Sequence, residues 1–153
     1  MQLTDRTDLA LRLLLYLAVH DDVRVSVGVI AQAYSASEAH LSKVAQALVH
    51  AGFIDSAPGR GGGVRLARPA ADIRVGAVVR ALEPTVIVAC FSTDVSCPIA
   101  GPCGLQPALR AARDAFLGVL DGVTLADAAA QRSALRQRLS PGLPDSGIVR
   151  AGV

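Results

Sequence analysis

Three cysteines carry the most distinctive chemistry in this 153-residue chain, and they are its only cysteines. Cys90, Cys97 and Cys103 lie in one segment punctuated by proline and glycine, with six and then five residues between them. An odd number of cysteines cannot form a closed set of disulfides, whereas three thiolates in one loop can converge on a metal centre. Zinc sites usually take cysteines in pairs about two to four residues apart. The wider spacing indicates instead a polynuclear iron-sulfur cluster, which is held chiefly by cysteine thiolates.

The fourth ligand of such a cluster would have to be a side chain other than cysteine. The alternative interpretation is three unrelated thiols, of which one or two are buried as small hydrophobic side chains. The longest apolar stretch, residues 13–19, is far too short to cross a bilayer, and the charges near the N-terminus are not ordered as in a signal peptide. We therefore expect a cytoplasmic protein without a membrane partner, in which thiols stay reduced and available to metal.

Composition narrows the class of protein further. A chain of this length with 52% hydrophobic residues is enough for one compact domain, or a small domain with an appended helix. An aromatic content of 3% without tryptophan argues against a surface on which bases stack. The three histidines, His20, His40 and His50, have no evident nucleophile or carboxylate grouping around them. We therefore do not expect an enzyme.

The N-terminal third of the chain predicts three helices. Thr4 can cap a first helix that runs to about His20, and Ser26 can open a short second helix that runs to about Tyr34. The third helix begins at residues 35–38, whose Ser-Ala-Ser-Glu sequence is typical of a capping box. It carries a buried stripe of apolar residues and stops at Gly52.

A hairpin with a glycine-rich tip is predicted next. Residues 54–56 lead through Pro58 and the run 59–63 into residues 64–66. Two helices joined by a tight turn and followed by such a hairpin make a winged helix-turn-helix. Its second helix can enter a major groove, and the tip of its hairpin, the wing, can reach the adjacent minor groove. The fold class we expect is mainly α, a winged helix-turn-helix domain with a long dimerisation helix.

Double-stranded operator DNA is therefore the expected partner. Arg60, Arg65 and Arg68 place positive charge on the wing and Lys43 adds one on the helix, while Glu38 and Asp55 oppose them. The alternatives are a solvated helix face and an ordinary hairpin. The candidate DNA-binding residues are Ser35, Ser37, His40, Lys43, Arg60, Gly61, Gly62 and Arg65.

The rest of the chain predicts a helix that Pro84 ends, then the cysteine segment, then a longer helix with Pro107 in its first turn. An apolar stripe on that longer helix suggests pairing with a second subunit. Thr124 can cap a last helix to about Leu139, and the remainder is expected to be a loose tail. The organisation we predict is a DNA-binding domain at 1–83, a cluster-binding loop at 84–106, dimerisation and C-terminal helices at 107–139 and a flexible tail at 140–153. The stripe consists of Leu109, Ala112, Phe116, Val119 and Leu120.

The chain carries a family resemblance in residues 74–84, the three cysteines after them, Met1-Gln2-Leu3-Thr4 and Thr7-Asp8. In these residues it resembles the Rrf family of bacterial iron-sulfur transcriptional regulators. Within it the chain is most similar, over about residues 1–135, to the repressors that sense nitric oxide. The resemblance implies a homodimer in which the three cysteines hold a 4Fe-4S cluster and nitrosylation of that cluster releases the operator. Members that regulate cluster assembly use a histidine just after the third cysteine, where this chain has Gln106 and no histidine. An iron-responsive or cluster-assembly regulator with a 2Fe-2S cluster is the alternative.

Asp8 matches the position at which the nitric-oxide-sensing repressors use an aspartate of the partner subunit as the fourth ligand. Arg12 stands four residues further on, so the two side chains could equally form an ordinary surface ion pair. Asp5 and Asp94 are lesser candidates for the same role.

Overall fold

The computed structural model describes residues 2–84, 86–91, 97–139 and 148–150. It is mainly helical with one small antiparallel sheet, as expected. The helices are α1 (Asp5–Val19), α2 (Val27–Ala33), α3 (Glu38–His50), α4 (Val75–Leu82), α5 (Leu105–Asp121), α6 (Leu125–Ala128) and α7 (Arg132–Leu139). The strands are β1 (Val23–Val25), β2 (Ile54–Ala57), β3 (Gly63–Leu66) and β4 (Ile148–Arg150).

Helix α1 lies at the centre of the molecule because it is apolar on more than one side. Leu13, Leu14 and Tyr16 are fully buried, and Leu17 is nearly so. The helix packs against α3, α4, α6 and α7. Thr4 caps it, and the side-chain oxygen of Thr4 accepts a hydrogen bond from the backbone N–H of Thr7.

The turn between α2 and α3 corrects one expectation. Ser37, not Ser35, is the N-cap of α3, and its hydroxyl accepts from the backbone N–H of His40 at 3.4 Å. The capping box expected from residues 35–38 therefore does not form, because Glu38 is the first residue of the helix. Ser35 instead takes a left-handed backbone with φ of 51°. A residue in that conformation reverses the chain within the short connection that a helix-turn-helix requires.

The wing is the hairpin of β2 and β3, with Ile54 opposite Leu66 and Ala57 opposite Gly63. A strand not expected from the sequence, β1, pairs with β3 through Val25 and Val64 and ties the wing to the helices. The tip requires glycine, since a Cβ on Gly62 would collide with the carbonyl oxygen of Ala57. The sheet order is β2-β3-β1-β4, so three residues of the segment expected to be a loose tail pair with β1.

Helix α4 is joined to the far end of α5 through several contacts. The guanidinium of Arg80 forms two hydrogen bonds with the carboxylate of Asp121, at 2.5 and 2.6 Å. Gly76 lies so close to Asp121 that a Cβ there would collide with its carboxylate. The backbone N–H of Val75 donates to the carbonyl of Val123 at 3.0 Å. These contacts join α4, which follows the wing, to the long helix within one subunit.

The expectation of one last helix, from Thr124 to about Leu139, is also corrected. The structure has two helices there, α6 and α7. Thr124 caps only α6, in a capping box with Asp127, and the chain changes direction before α7 begins. No glycine or proline marks this break. It lets α7 dock on the end of α1, where the guanidinium of Arg136 donates to the carbonyl oxygen of Val19. Among the described residues, no helix has the length and apolar content needed to cross a membrane.

Candidate cysteine loop and nucleic-acid interface

The three cysteines lie between α4 and α5. Cys90 lies in a single helical turn, Ala89–Phe91. Cys97 begins a second turn, and its carbonyl oxygen accepts a hydrogen bond from the backbone N–H of Ala100. Cys103 lies two residues before the start of α5. All three are free thiols and all three are partly exposed. Deeply buried thiols would have favoured the alternative of small hydrophobic side chains. Partial exposure of all three residues therefore argues against that alternative.

Contacts with the start of α5 hold the first of these turns in place. The side-chain amide of Gln106 donates to the carbonyl oxygen of Cys90 at 3.5 Å. The ring of Phe91 lies beneath the guanidinium groups of Arg110 and Arg113, at 4.8 and 5.3 Å from its centroid. Such stacking fixes an aromatic ring against two cations. Gln106, which offers no imidazole to a metal, therefore has a structural part in this loop.

The described part of the chain contains no three histidine, cysteine, aspartate or glutamate side chains that converge on one metal ion. Residues 92–96, including Asp94, lie outside the described residues. Three reduced thiols in one segment are nevertheless the donors that iron-sulfur clusters use. By the chemistry of its donors, the segment fits such a cluster.

Asp8 lies on the exposed side of the first turn of α1. Its carboxylate pairs with the guanidinium of Arg12 at 2.8 Å, and both side chains are about half exposed, at 51% and 48%. The ordinary ion pair is therefore present within the subunit. Asp5, also exposed, is the first residue of the same helix. The structure of one subunit therefore does not test whether Asp8 contacts the cysteines of a partner subunit.

Sequence reasoning missed the contact between the cap of α1 and the residue that precedes the cysteine segment. Glu83 Oε1 accepts from the backbone N–H of Thr4 at 2.6 Å and from its hydroxyl at 2.8 Å. Desolvation acts to raise the pKa of Glu83, but hydrogen bonds from Thr4 and Thr7 outweigh it, so this pKa is lowered. The carboxylate is thus held ionised at the start of α1. No spacing in the sequence links residues 79 apart, so only the fold could reveal this pair.

The face of α3 expected to enter a major groove is open to solvent. His40 and Lys43 are exposed on it, Ser42 is partly exposed, and Gln46 continues the face. Ser35 and Ser37 lie at the start of this face. Ser35 forms the turn with its left-handed backbone, and Ser37 caps the helix with its hydroxyl. The structure brings the predicted helix residues together on one face.

The wing presents its basic residues unevenly. Arg60 and Gly61 are exposed at the tip, and Gly62 is partly exposed beside them. Arg65 lies 3.9 Å from the carboxylate of Asp55 across the hairpin, so part of its charge is compensated. Arg68 stacks over the ring of Phe53 at 5.1 Å and supports the base of the wing. Of these three arginines, Arg60 alone has neither an ion pair nor a ring contact among the described residues.

Together, the helix-turn-helix, the wing and the exposed basic residues define a winged-helix transcription regulator. Residues 3–131 match the Rrf2 family, described as an iron-dependent transcriptional regulator. The chain belongs to this family. It is 44% identical over 142 residues to the HTH-type transcriptional regulator NsrR of Geobacillus kaustophilus, covering 91% of this chain and 97% of that protein. It is 42% identical to protein aau3 of Rhizobium meliloti, covering 83% of this chain and 84% of that protein.

Solved structures agree with this assignment. The global cysteine regulator CymR of B. subtilis superposes with a TM-score of 0.71 at 28% identity, covering 86% of this chain and 98% of that one. IscR of T. potens superposes with a TM-score of 0.69 at 26% identity, covering 93% and 94% of the two chains. The expected fold class and family are confirmed.

Proposed function

We propose that this protein is a homodimeric, cytoplasmic repressor that binds operator DNA, senses nitric oxide through a 4Fe-4S cluster and releases the operator when nitric oxide reacts with that cluster. The observation that carries the proposal is the set of three free, partly exposed cysteines in one segment held against α5. Their setting in an Rrf2-family chain 44% identical to NsrR supports the nitric-oxide-sensing type that the sequence resembles.

Cys90, Cys97 and Cys103 would hold the cluster. When bound, it would supply iron that reacts with nitric oxide. The chain's own part is to connect this loop with the DNA-binding unit. Helix α4 runs directly into the loop, and Glu83, at its end, holds the cap of α1. A change in the loop therefore has a short route to α1 and, through it, to α3.

Asp8 would be the fourth ligand and would act across the dimer. For this, the Asp8 carboxylate must leave Arg12, which is inexpensive because exposed ion pairs contribute less than about 1 kcal/mol. An oxygen ligand is also displaced from iron more readily than a thiolate. Asp8 would thereby fix the spacing of the two α3 helices, which must match half-sites about one helical turn apart.

The dimer would form through α5. Leu105 and Val119, near the two ends of this helix, are 69% and 70% exposed. Between them three alanines, at positions 108, 112 and 115, continue the same side at spacings of three and four residues and are exposed. Leu109, Phe116 and Leu120 of the expected stripe are partly buried against the subunit's own residues instead. The stripe available to a second subunit is thus turned slightly from the one expected.

Anaerobic purification tests the cofactor directly. We expect a visible absorption band and iron and sulfide in the amounts of one 4Fe-4S cluster per subunit, and Cys90→Ala, Cys97→Ala and Cys103→Ala should each lose most of both. Ile99→Ala, in the same segment and exposed, is the matched control and should keep the cluster. A colourless protein that contains zinc would refute the proposal.

Operator binding before and after addition of nitric oxide tests the sensing. The holo protein should lose affinity on exposure, while the cysteine variants should bind poorly from the start. An iron-responsive or cluster-assembly regulator with a 2Fe-2S cluster is the second candidate, supported by the likeness to IscR and by the family's description as iron-dependent. Iron and sulfide in 2Fe-2S amounts, with binding that follows iron supply and ignores nitric oxide, would favour it.

A further inference from the structure

A basic cleft lies where the first turn of α1 meets α3. It has a volume of about 330 Å³ and is lined by Arg6, His40, Lys43 and Val44. We propose that this cleft binds a backbone phosphate of the operator, with Arg6 as its principal ligand. The inference rests on the proposed DNA-binding function and adds a residue of α1 to an interface that the sequence confined to α3 and the wing.

The floor of the cleft is buried. Val44 is 1% exposed and Thr7, the neighbour of Arg6, is fully buried, so the backbones that carry the cationic side chains are held by the core. Arg6, His40 and Lys43 are themselves exposed. His40 and Lys43 stand three residues apart, on one side of α3. Three donor groups from two helices therefore open onto one space.

The charge of the lining residues favours an anion. None of the four lining residues is acidic. Arg6 and Lys43 take part in none of the ion pairs among the described residues, whereas Arg12, Arg80 and Arg132 do. The field of Arg6 does reach Glu83 and contributes to lowering its pKa. That carboxylate, however, already accepts two hydrogen bonds from Thr4.

The chemistry of the three groups matches phosphate. A guanidinium can donate two parallel hydrogen bonds to phosphate oxygens, an ammonium adds a point charge, and an imidazole can donate one further bond. The cleft lies where α3 is nearest to α1, whereas Gln46 and His50, further along α3, line a second cavity together with Ser56 and Val64 of the wing. Phosphate contacts at such a margin set the register of the recognition helix without reading bases.

The position of Arg6 gives the contact a regulatory consequence. Arg6 and Asp8 are two residues apart on α1 and so point to different sides of the helix. One would hold DNA while the other would hold the partner's cluster. A displacement of α1 when Asp8 is released would then withdraw a phosphate ligand from each half-site.

The salt dependence of DNA binding by the holo protein tests the proposal. The probes are a duplex selected by the wild-type protein from a random-sequence pool and the unselected pool itself. Arg6→Gln should reduce the slope of log affinity against log salt by about two per dimer, one for each lost phosphate contact. Affinity should fall by the same factor on both probes, because phosphates carry no sequence information. Arg6→Lys should restore most of the slope.

Arg138→Gln is the matched control, since it removes the same charge from an exposed position on α7. It should leave the slope unchanged. An unchanged slope for Arg6→Gln would overturn the proposal, as would a loss confined to the selected duplex, which would make Arg6 a reader of bases. If the wild-type protein bound neither probe, DNA binding itself would be refuted. Thermal unfolding of each variant identifies any that fail to fold.

Discussion

Thr4, which caps the first helix, and Glu83, the last residue before the proline that opens the cysteine segment, are hydrogen-bonded through two atoms of Thr4. The start of α1 carries Arg6 and Asp8, so this one carboxylate joins the proposed DNA and cluster contacts to the entrance of the loop. The two residues also line a cavity of about 540 Å³ with the first part of that loop and with α5. Glu83 is thus placed to transmit a change in the loop to α1.

We expect Glu83→Ala to loosen the start of α1 and to weaken the dependence of operator affinity on the cluster. Loss of these hydrogen bonds should lower the free energy of unfolding by roughly 1 kcal/mol, because the backbone N–H of Thr4 loses its acceptor. Urea denaturation and operator titration, each with and without cluster, measure the two effects. Glu83→Gln keeps an acceptor oxygen and is the control. Equal responses to cluster loss in wild type and Glu83→Ala would exclude the coupling.

Asp8→Ala should leave three thiolates, so its iron content should fall only partly, while operator binding becomes weak and little affected by nitric oxide. Mixed dimers sharpen the test. An Asp8→Ala subunit paired with a Cys97→Ala subunit retains one complete site if ligation crosses the interface, and none if it stays within a subunit. If Asp8 serves only the ion pair with Arg12, the variant should lose well under about 1 kcal/mol of stability and sense normally.

Arg60→Ala should weaken operator binding most where the flanking minor groove is narrow, because an inserted guanidinium gains most from the enhanced negative potential there. Binding to selected duplexes that differ only in their A-tract flanks measures this. Arg68→Ala, whose side chain stacks on Phe53, is the control on the same hairpin and should show no such preference. Equal loss by Arg60→Ala on all flanks would restrict Arg60 to phosphate contact.

Ser35→Gly should stabilise the fold by up to about 1 kcal/mol, because glycine accepts a positive φ without the steric cost of a Cβ. Ser35→Val should destabilise it. Ser37→Ala, by contrast, should cost about 1 kcal/mol through loss of the α3 cap. Chemical denaturation of the three variants compares these values. Unchanged stability in Ser37→Ala would show that the cap contributes nothing.

Stability should fall as the pH drops from about 7.5 to 5.5, in part because of His20, whose ordinary pKa lies near 6.5. Burial lowers the pKa of His20, and the cations of Arg136 and Arg132 add to this, while the Tyr16 carbonyl and Asp22 oppose it. The folded state therefore disfavours the proton that His20 binds in the unfolded state. The contribution of neutral His20 to the free energy of unfolding is complete above the ordinary pKa near 6.5 and is lost as the pH falls below it. Since the lowered pKa of Asp21 acts at more acid pH, His20→Gln should flatten this part of the profile. An unchanged profile would exclude His20 as its source.

The sequence alone determined most of the helical architecture and the family, because those signals are local. Thr4 and Ser26 mark the helix starts they were expected to mark, and Gly52 ends α3 in a left-handed conformation with φ of 74°. The glycine run is a local signal of the same kind and predicts the wing tip. In the structure, the backbone at Gly62 leaves no room for a Cβ. The three cysteines are evident from their spacing, and the family match agrees with the resemblance of the N-terminal and α4 motifs.

Tertiary structure decided what depends on contacts between distant residues. The choice of Ser37 over Ser35 as cap follows from the sharp turn needed to pack α2 against α3. Serine is a favoured cap at either position, and only Ser35 has the glutamate of a capping box three residues later. The break between α6 and α7 follows from docking of α7 on α1, because no residue there disfavours a continuous helix. The Thr4–Glu83 contact and the cleft of Arg6 with Lys43 likewise join residues far apart in sequence. No periodicity records such pairs, since the free energy that brings them together comes from burial of the core that α1 shares with its neighbours.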